Sequence, residues 1–99
     1  MTVRRSWLEI YVDVLKTIRS GVNKPTLIRN RCNLAWKPFM GILGTLISND
    51  LVVAVEGSSR KTYKLTDKGV EFLRQFESAE AFIAHLKGQR STVDALNLP

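Results

Sequence analysis

The chain holds few side chains that could carry out covalent or metal chemistry. His85 is its one histidine and Cys32 its one cysteine, so neither falls in a cluster with metal-ligand spacing. We find no serine–histidine–aspartate set, glycine-rich phosphate loop or supported carboxylate pair. Thr66 and Asp67 fit a helix start, and Cys32 fits a small buried hydrophobe. We therefore expect a binding protein, not an enzyme, without cofactor or metal.

Basic side chains are the groups with a remaining chemical use. The formal net charge is +6, and its distribution is uneven. Residues 1–37 contain eight basic and two acidic residues, whereas residues 38–99 contain seven of each. An anionic partner would be steered to the first third of the chain. Nucleic acid is one such partner, and the alternative is an ordinary solvated surface.

The hydrophobic pattern predicts a mainly α-helical domain with one small β-hairpin. Ser6 and Glu9 have the spacing of a capping box at the start of the first helix, and Gly21 suits its end. Pro25 fits the first turn of a second helix. Helices are predicted over Trp7–Arg19, Asn23–Cys32, Trp36–Ser48 and from Thr66 to Lys87; strands are predicted over Leu51–Val55 and Lys61–Leu65.

The length of the chain fits a single domain. The predicted helices and strands divide it into three parts. Residues 1–66 would form a nucleic-acid-binding domain, residues 67–88 a dimerisation helix and residues 89–99 a disordered tail. No apolar run reaches the roughly 18 residues of a membrane span. Glu9 and Asp13 interrupt the first apolar stretch, so we expect no secretory signal. We expect a cytoplasmic, nucleoid-associated protein.

Two helices have more apolar surface than one core requires. The apolar residues of the first helix cover an arc of roughly 200°, wider than the ~100° stripe that one core needs. A partner chain or a returning C-terminal helix would cover the excess. In the last helix, apolar residues step by the 4, 3, 4, 3 spacing of a coiled coil, if Ser78 does not interrupt it. The predicted dimer interface contains Trp7, Phe72, Phe76, Ala79, Ile83 and Leu86. The aromatic members could instead fold back on their own domain.

Three segments carry a family resemblance. WLEIYVDVLKTIRSG resembles the first helix of small archaeal winged helix-turn-helix DNA-binding proteins. NLAWKPFMGILGTLISNDLV resembles their turn and recognition helix, and YKLTDKGVEFL their return strand and following helix. The resemblance implies a winged helix with a long C-terminal helix, double-stranded DNA as partner, and a homodimer joined by an antiparallel coiled coil. The chain departs from the pattern at Ala35, which replaces a capping serine or threonine, and at the apolar or bare positions Met40, Gly41 and Gly44.

The predicted DNA-binding residues come from four segments. Arg29, Asn30 and Arg31 lie on the helix that would cross the DNA backbone, and arginine forks suit phosphate oxygens. Lys37 and Thr45 would face base edges in the major groove. Ser59, Arg60 and Lys61 would form the tip of the wing, and Arg4 and Arg5 an N-terminal arm.

Three residues of the third helix have competing interpretations. Trp36 could pack on a sugar or a thymine methyl group, although we favour a core anchor. Gly41 and Gly44 each lower helix stability by up to ~1 kcal/mol relative to alanine. Tight packing against the second helix would offset this loss and is favoured over close approach of a phosphate backbone.

The function predicted from sequence is double-stranded DNA binding by a dimeric transcriptional regulator or chromatin-associated protein. The alternative is a winged-helix module that binds another protein within a larger assembly. Met40 and the two glycines on the expected recognition surface favour this alternative, since they offer little hydrogen bonding to base edges.

Overall fold

The computed structural model describes residues 6–57 and 59–88, with side chains through residue 86. Three helices are followed by a hairpin and a fourth helix, so the predicted fold class is confirmed. The elements are α1 (Trp7–Arg19), α2 (Pro25–Cys32), α3 (Trp36–Ser48), β1 (Val52–Glu56), β2 (Lys61–Leu65) and α4 (Asp67–Gly88). The bounds of α1, α3 and β2 are those predicted, whereas α2 begins two residues later and β1 one residue later.

Local capping signals account for the well-predicted helix ends. The Glu9 N–H donates to the Ser6 hydroxyl at 3.1 Å, and the Ser6 N–H donates to the Glu9 carboxylate at 2.9 Å, which completes the capping box. Gly21 follows α1 with a φ of 107°, in the region that favours glycine. Asn33 ends α2 with a φ of 56°. Ala35 is the N-cap residue of α3 and makes no capping hydrogen bond, because its methyl side chain has no polar atom.

The hairpin is antiparallel, with Val52 opposite Leu65 and Glu56 opposite Lys61. The segment before α2 lies beside the outer edge of β2, where the Tyr63 N–H donates to the Asn23 carbonyl at 3.0 Å. Tyr63 itself is buried. The hairpin is therefore fixed to the start of α2 as well as to the end of α3.

One hydrophobic core joins all four helices and the hairpin. Its fully buried members include Leu15, Ile28, Phe39, Val52 and Leu73.

Helical periodicity predicts an inward face made of Leu27, Ile28 and Cys32 in α2 and of Phe39, Ile42, Leu43, Leu46 and Ile47 in α3. Two of these residues do not face inward. Leu27 is 51% exposed and Ile47 is 39% exposed, because each lies beside the inward stripe of its helix and not on it. In α2 that stripe is set by Ile28 and Cys32, one helical turn apart.

The fourth helix returns along α1, which is one of the two ways of covering the wide apolar face of α1 that the sequence left open. Arg19 donates two hydrogen bonds to Glu77, at 2.8 and 2.7 Å, and Lys16 lies 3.2 Å from Glu80. The pairing order shows that the two helices run antiparallel. α4 is continuous through Ser78.

The first half of α4 is part of the protein core. Leu73 is fully buried, and the half-buried rings of Phe72 and Phe76 pack against the same core with centroids 6.4 Å apart. Both aromatic residues thus fold back on their own domain, which is the alternative that the sequence left open for them. A dimer seam would depend on the residues after them.

The Arg19–Glu77 pair gives the contact between α1 and α4 a pH dependence. Its hydrogen bonds hold the pKa of Glu77 below its usual range and raise the pKa of Arg19. A lowered carboxyl pKa contributes stability at neutral pH that is lost as the pH falls below about 4. The pair is exposed, so its contribution is small.

We expect Glu77→Gln to lower the thermal midpoint slightly at pH 7. Because the wild-type carboxylate becomes protonated in acid, the difference between variant and wild type should shrink toward zero near pH 3. Thermal unfolding followed by circular dichroism at the two pH values measures this. Glu56→Gln is the control, since Glu56 makes no ion pair with a described residue. A difference that stays constant with pH would contradict the assignment.

Within residues 6–57 and 59–88, no helix combines the length and the apolar character needed to cross a bilayer.

Candidate nucleic-acid interface

The segment that contains α2 and α3 carries positive charge without neutralisation. Between Gly21 and Asn49 the chain has four basic residues and no acidic ones. None of the four is ion-paired with a carboxylate of the described residues; the pairs found there involve Lys16, Arg19 and Arg74 instead. Part of the positive charge of the first third of the chain is thus neutralised by α4. The helix-turn-helix retains its own charge.

Arg29 fixes the turn between α2 and α3. Its Nη1 donates to the Leu34 carbonyl at 3.0 Å, and its Nη2 donates to Asn30 Oδ1 at 2.7 Å. Its guanidinium carbon lies 5.9 Å from the centroid of the Trp36 ring, within the range of a cation–π contact. These contacts use two of its five N–H donors. Arg29 therefore has a structural role and keeps donors for an anion.

Trp36 is not a core anchor, so the interpretation favoured from sequence is wrong. Its side chain is 50% exposed, whereas Phe39, whose ring centroid lies 5.7 Å away, is fully buried. Phe39 lies on the inward stripe of α3, and Trp36 lies at the edge of that stripe. The indole is held between Phe39 and Arg29 and keeps exposed surface for a ligand.

The exposed surface of α3 is nearly bare along its centre. Lys37, Gly41, Gly44 and Ser48 follow one another at helical spacing, and all are exposed. A Cβ atom added at Gly41 or Gly44 would meet nothing within 4 Å. The prediction that these glycines pack tightly against α2 is therefore wrong. They leave the helix backbone open to an approaching partner.

Thr45 has a restricted capacity for hydrogen bonding. Its hydroxyl donates to the Gly41 carbonyl at 3.0 Å, which engages its one proton. The oxygen can still accept a hydrogen bond. Of the two residues predicted to read bases, Lys37 is thus the one with free donors.

The start of α2 and the return strand of the hairpin meet at a cavity. It has a volume of about 540 Å³ and is lined by Lys24, Pro25, Thr26, Leu27, Arg60 and Lys61. Two predicted wing residues, Arg60 and Lys61, are therefore brought together with Lys24, which the sequence reasoning missed. Lys24 precedes a proline at a helix start, and this position could have marked it as the exposed N-cap residue that it is.

The remaining predicted residues have varied placements. Asn30, Arg31 and Ser59 are exposed, and Asn30 also accepts the hydrogen bond from Arg29. Arg4 and Arg5 lie outside the described residues, as does the predicted tail.

Cys32 is buried with its Sγ 3.4 Å from Thr17 Oγ1, as expected for a small hydrophobe. The described part of the chain contains no group of three or more His, Cys, Asp or Glu residues that could hold a metal ion.

The sequence matches the winged helix-turn-helix family over residues 4–84. The chain belongs to this family. It is 32% identical over 76 residues to the uncharacterized protein MJ0290 of Methanocaldococcus jannaschii; this match includes 77% of the chain and 34% of the relative. The chain thus spans about a third of the length of that protein.

Solved structures show the same fold. Sso10a-2, a DNA-binding protein from Sulfolobus solfataricus, matches with a TM-score of 0.75 and 19% identity, over 96% of this chain and 99% of that one. The oxidized form of MarR from E. coli matches with a TM-score of 0.73 and 18% identity, over 87% and 69% of the two chains. The archaeal winged-helix resemblance inferred from sequence is confirmed.

In this winged helix, the segment YKLTDKG joins the wing to α4 and to the end of α3. The Thr66 hydroxyl accepts from the Gly69 N–H at 3.0 Å and donates to the Asp50 carbonyl at 2.5 Å. The Thr66 N–H donates to the Leu51 carbonyl at 3.1 Å. Gly69 is buried directly against that carbonyl. The motif therefore sets the position of the wing relative to α3.

Proposed function

We propose that the protein binds double-stranded DNA through α2, α3 and the wing, as a transcriptional regulator or chromatin-associated protein. The observation that carries the proposal is the charge of the helix-turn-helix: four basic residues, no acidic ones, and no ion pair with described carboxylates. The fold supports it, since the major groove admits one α-helix and Sso10a-2, which shares the fold, is a DNA-binding protein.

The proposed contacts are mainly to the DNA backbone. Arg31, Arg60 and Lys61 neutralise phosphates, and Arg29 adds its remaining donors. Asn30 and Ser59 add polar contacts. Base reading rests on Lys37, with Thr45 as an acceptor and Trp36 against a sugar or a thymine methyl group. Because the centre of α3 offers few donors, we expect weak sequence specificity.

Titration of fluorescently labelled duplexes tests this proposal. Two 20-base-pair duplexes of unrelated sequence should both be bound saturably at low salt, with dissociation constants within about tenfold of each other, since backbone contacts carry no sequence information. No binding to either duplex would contradict the proposed function.

Replacing Gly41 and Gly44 with alanine should have opposite effects on stability and on DNA affinity. We expect each substitution to stabilise the protein by up to ~1 kcal/mol, because the added Cβ meets open space and alanine favours the helix. We expect the double variant to bind duplex DNA several-fold more weakly if the α3 backbone lies against the groove. Urea unfolding and DNA titration measure the two effects.

Ser48→Ala is the control, since Ser48 lies on the same exposed face of α3 as Gly41 and Gly44 and its replacement by alanine adds no bulk. If the Gly41→Ala/Gly44→Ala variant binds DNA as tightly as the wild type, the exposed face of α3 at these two glycines does not contact DNA.

We further propose that the protein is a homodimer joined through the end of α4. Trp7 is 66% exposed, Ile83 51% and Leu86 48%. Ala79, Ile83 and Leu86 share one face of the helix, beyond the part that packs on the protein's own core. A second copy in antiparallel orientation would cover this face and the exposed indole of α1.

Ile83→Glu combined with Leu86→Glu should convert a dimer into a monomer, because it places two charges in the proposed seam. Light scattering over a range of concentrations gives the mass. Ala81→Glu is the control, since Ala81 is exposed on the opposite face of α4 and should leave the dimer intact. A wild-type protein that is monomeric at every concentration would contradict the proposed dimer.

One observation favours a protein partner as a second candidate. Trp36, Met40 and Ile47 are 50, 42 and 39% exposed and lie along one flank of α3. Such an apolar flank fits a protein interface better than a DNA groove. Failure to bind duplex DNA at low salt would favour this candidate.

A further inference from the structure

The cavity between α2 and the wing has the size of a small-molecule site. Its volume of about 540 Å³ lies within the range of roughly 300–1,000 Å³ found for ligand pockets. Its walls come from two separate segments: Lys24 to Leu27, which contain the N-cap and first residues of α2, and Arg60 and Lys61, where the hairpin loop enters β2. Folding alone brings these two segments together.

Among the residues that the structure describes, every charged side chain that lines the cavity is basic. Lys24, Arg60 and Lys61 contribute three positive charges, and none is ion-paired with a carboxylate of the described residues. Like charges gathered at one site repel each other, and an anion relieves that repulsion. The cavity therefore favours a ligand with negative charge.

The rest of the lining is largely apolar. Pro25 and Leu27 provide carbon surface, and the Leu27 side chain is 51% exposed although it is a large hydrophobe. A free inorganic anion would leave this surface in water. A ligand with an apolar body would cover it and gain binding energy from the burial.

We propose that this cavity binds a small organic anion, with an apolar body against Pro25 and Leu27 and an anionic group held by Lys24, Arg60 and Lys61. The N–H groups of the first turn of α2 support this orientation, because Lys24 gives them no side-chain cap. The inference extends the proposed function in one respect. Arg60 and Lys61 are also proposed to contact DNA phosphates, so a bound anion would compete with DNA.

Nuclear magnetic resonance with 1-naphthoate as the probe tests the site without DNA. We expect saturable shifts of the Thr26, Leu27 and Lys61 amides. The neutral analogue 1-naphthalenemethanol, which lacks the charge, and inorganic phosphate, which lacks the apolar body, should give no saturable shift at the same concentrations. Absence of naphthoate shifts at these amides, or equal binding of the alcohol or of phosphate, would overturn the proposal.

Two variants make the test specific to the cavity. Lys24→Glu and Leu27→Ser change exposed side chains, and each should weaken naphthoate binding by about tenfold. Lys64→Glu is the matched control, since Lys64 is exposed on β2 outside the cavity and should leave naphthoate affinity within about twofold. If Lys24→Glu and Lys64→Glu lose the same amount of naphthoate affinity, the loss depends on net charge alone, and the proposed site is wrong.

The competition is measured separately. Saturating naphthoate should weaken duplex binding of the wild type several-fold and leave that of Lys24→Glu nearly unchanged. If the wild type binds no DNA at all, the proposed function fails, while the shifts of the α2 and β2 amides still decide the anion site. A duplex that shifts these amides when naphthoate does not would assign the cavity to DNA alone and overturn the inference.

Discussion

Replacing Gly69 with alanine will severely destabilise the protein. Gly69 is buried in the first turn of α4, and a Cβ atom built there would collide with the Leu51 carbonyl oxygen and lie 3.1 Å from its carbon. Both obstacles are backbone atoms, so no side-chain rotation can relieve the clash. The same carbonyl accepts the Thr66 N–H, and moving it would disturb the junction of α3, the wing and α4.

We expect a loss of about 3 kcal/mol in the free energy of unfolding, within the upper range for overpacked positions. For a domain of this size that loss lowers the thermal midpoint by roughly 12–24 °C. Thermal unfolding by circular dichroism measures it. Gly44→Ala is the matched control, since the same chemical change meets open space there and should raise the midpoint slightly. A Gly69→Ala protein as stable as the wild type would show that the junction is not close-packed.

Reversing the charge at Arg31 and Arg60 should nearly abolish DNA binding at moderate salt. Each substitution removes a proposed phosphate contact and adds a repulsive carboxylate. We expect about tenfold weaker binding for each single variant and about 100-fold for the double variant. Neither side chain makes a hydrogen bond or ion pair within the described residues that its loss would break, so the fold should survive.

Lys68→Glu is the control for this series. Lys68 is exposed in the first turn of α4, outside the helix-turn-helix, and its reversal makes the same change in net charge. Fluorescence anisotropy with one labelled duplex gives the affinities. If Lys68→Glu weakens binding as much as Arg60→Glu does, binding depends on overall charge and not on the proposed surface.

Local signals in the sequence were sufficient for the elements. The capping box at Ser6 and the glycine after α1 involve residues within a few positions of each other, so both ends of α1 were predictable. The inward stripe of α3 was predictable for Phe39, Ile42, Leu43 and Leu46, because helical periodicity alone defines it. Ile47 lies at the edge of this stripe, where helical periodicity alone does not determine whether a side chain is buried or exposed.

Contacts between distant segments were not predictable in the same way. Arg19 and Glu77 pair although they are 58 positions apart. This ion pair neutralises a positive charge of α1 that the charge distribution had suggested was open to an anionic partner. Lys24 became a site residue only because the wing folds against the start of α2. Gly41 and Gly44 looked like packing positions, and only the position of α2 shows that the space beside them is open.

The salt dependence of wild-type duplex binding tests the central claim most directly. If Arg29, Arg31, Arg60 and Lys61 neutralise phosphates, the logarithm of the association constant should fall linearly with the logarithm of salt concentration, with a slope of about −3 to −4 per protomer. Anisotropy titrations between roughly 50 and 300 mM salt give this slope. Undetectable binding at the lowest salt, or a slope shallower than about −1, would contradict phosphate recognition by α2, α3 and the wing.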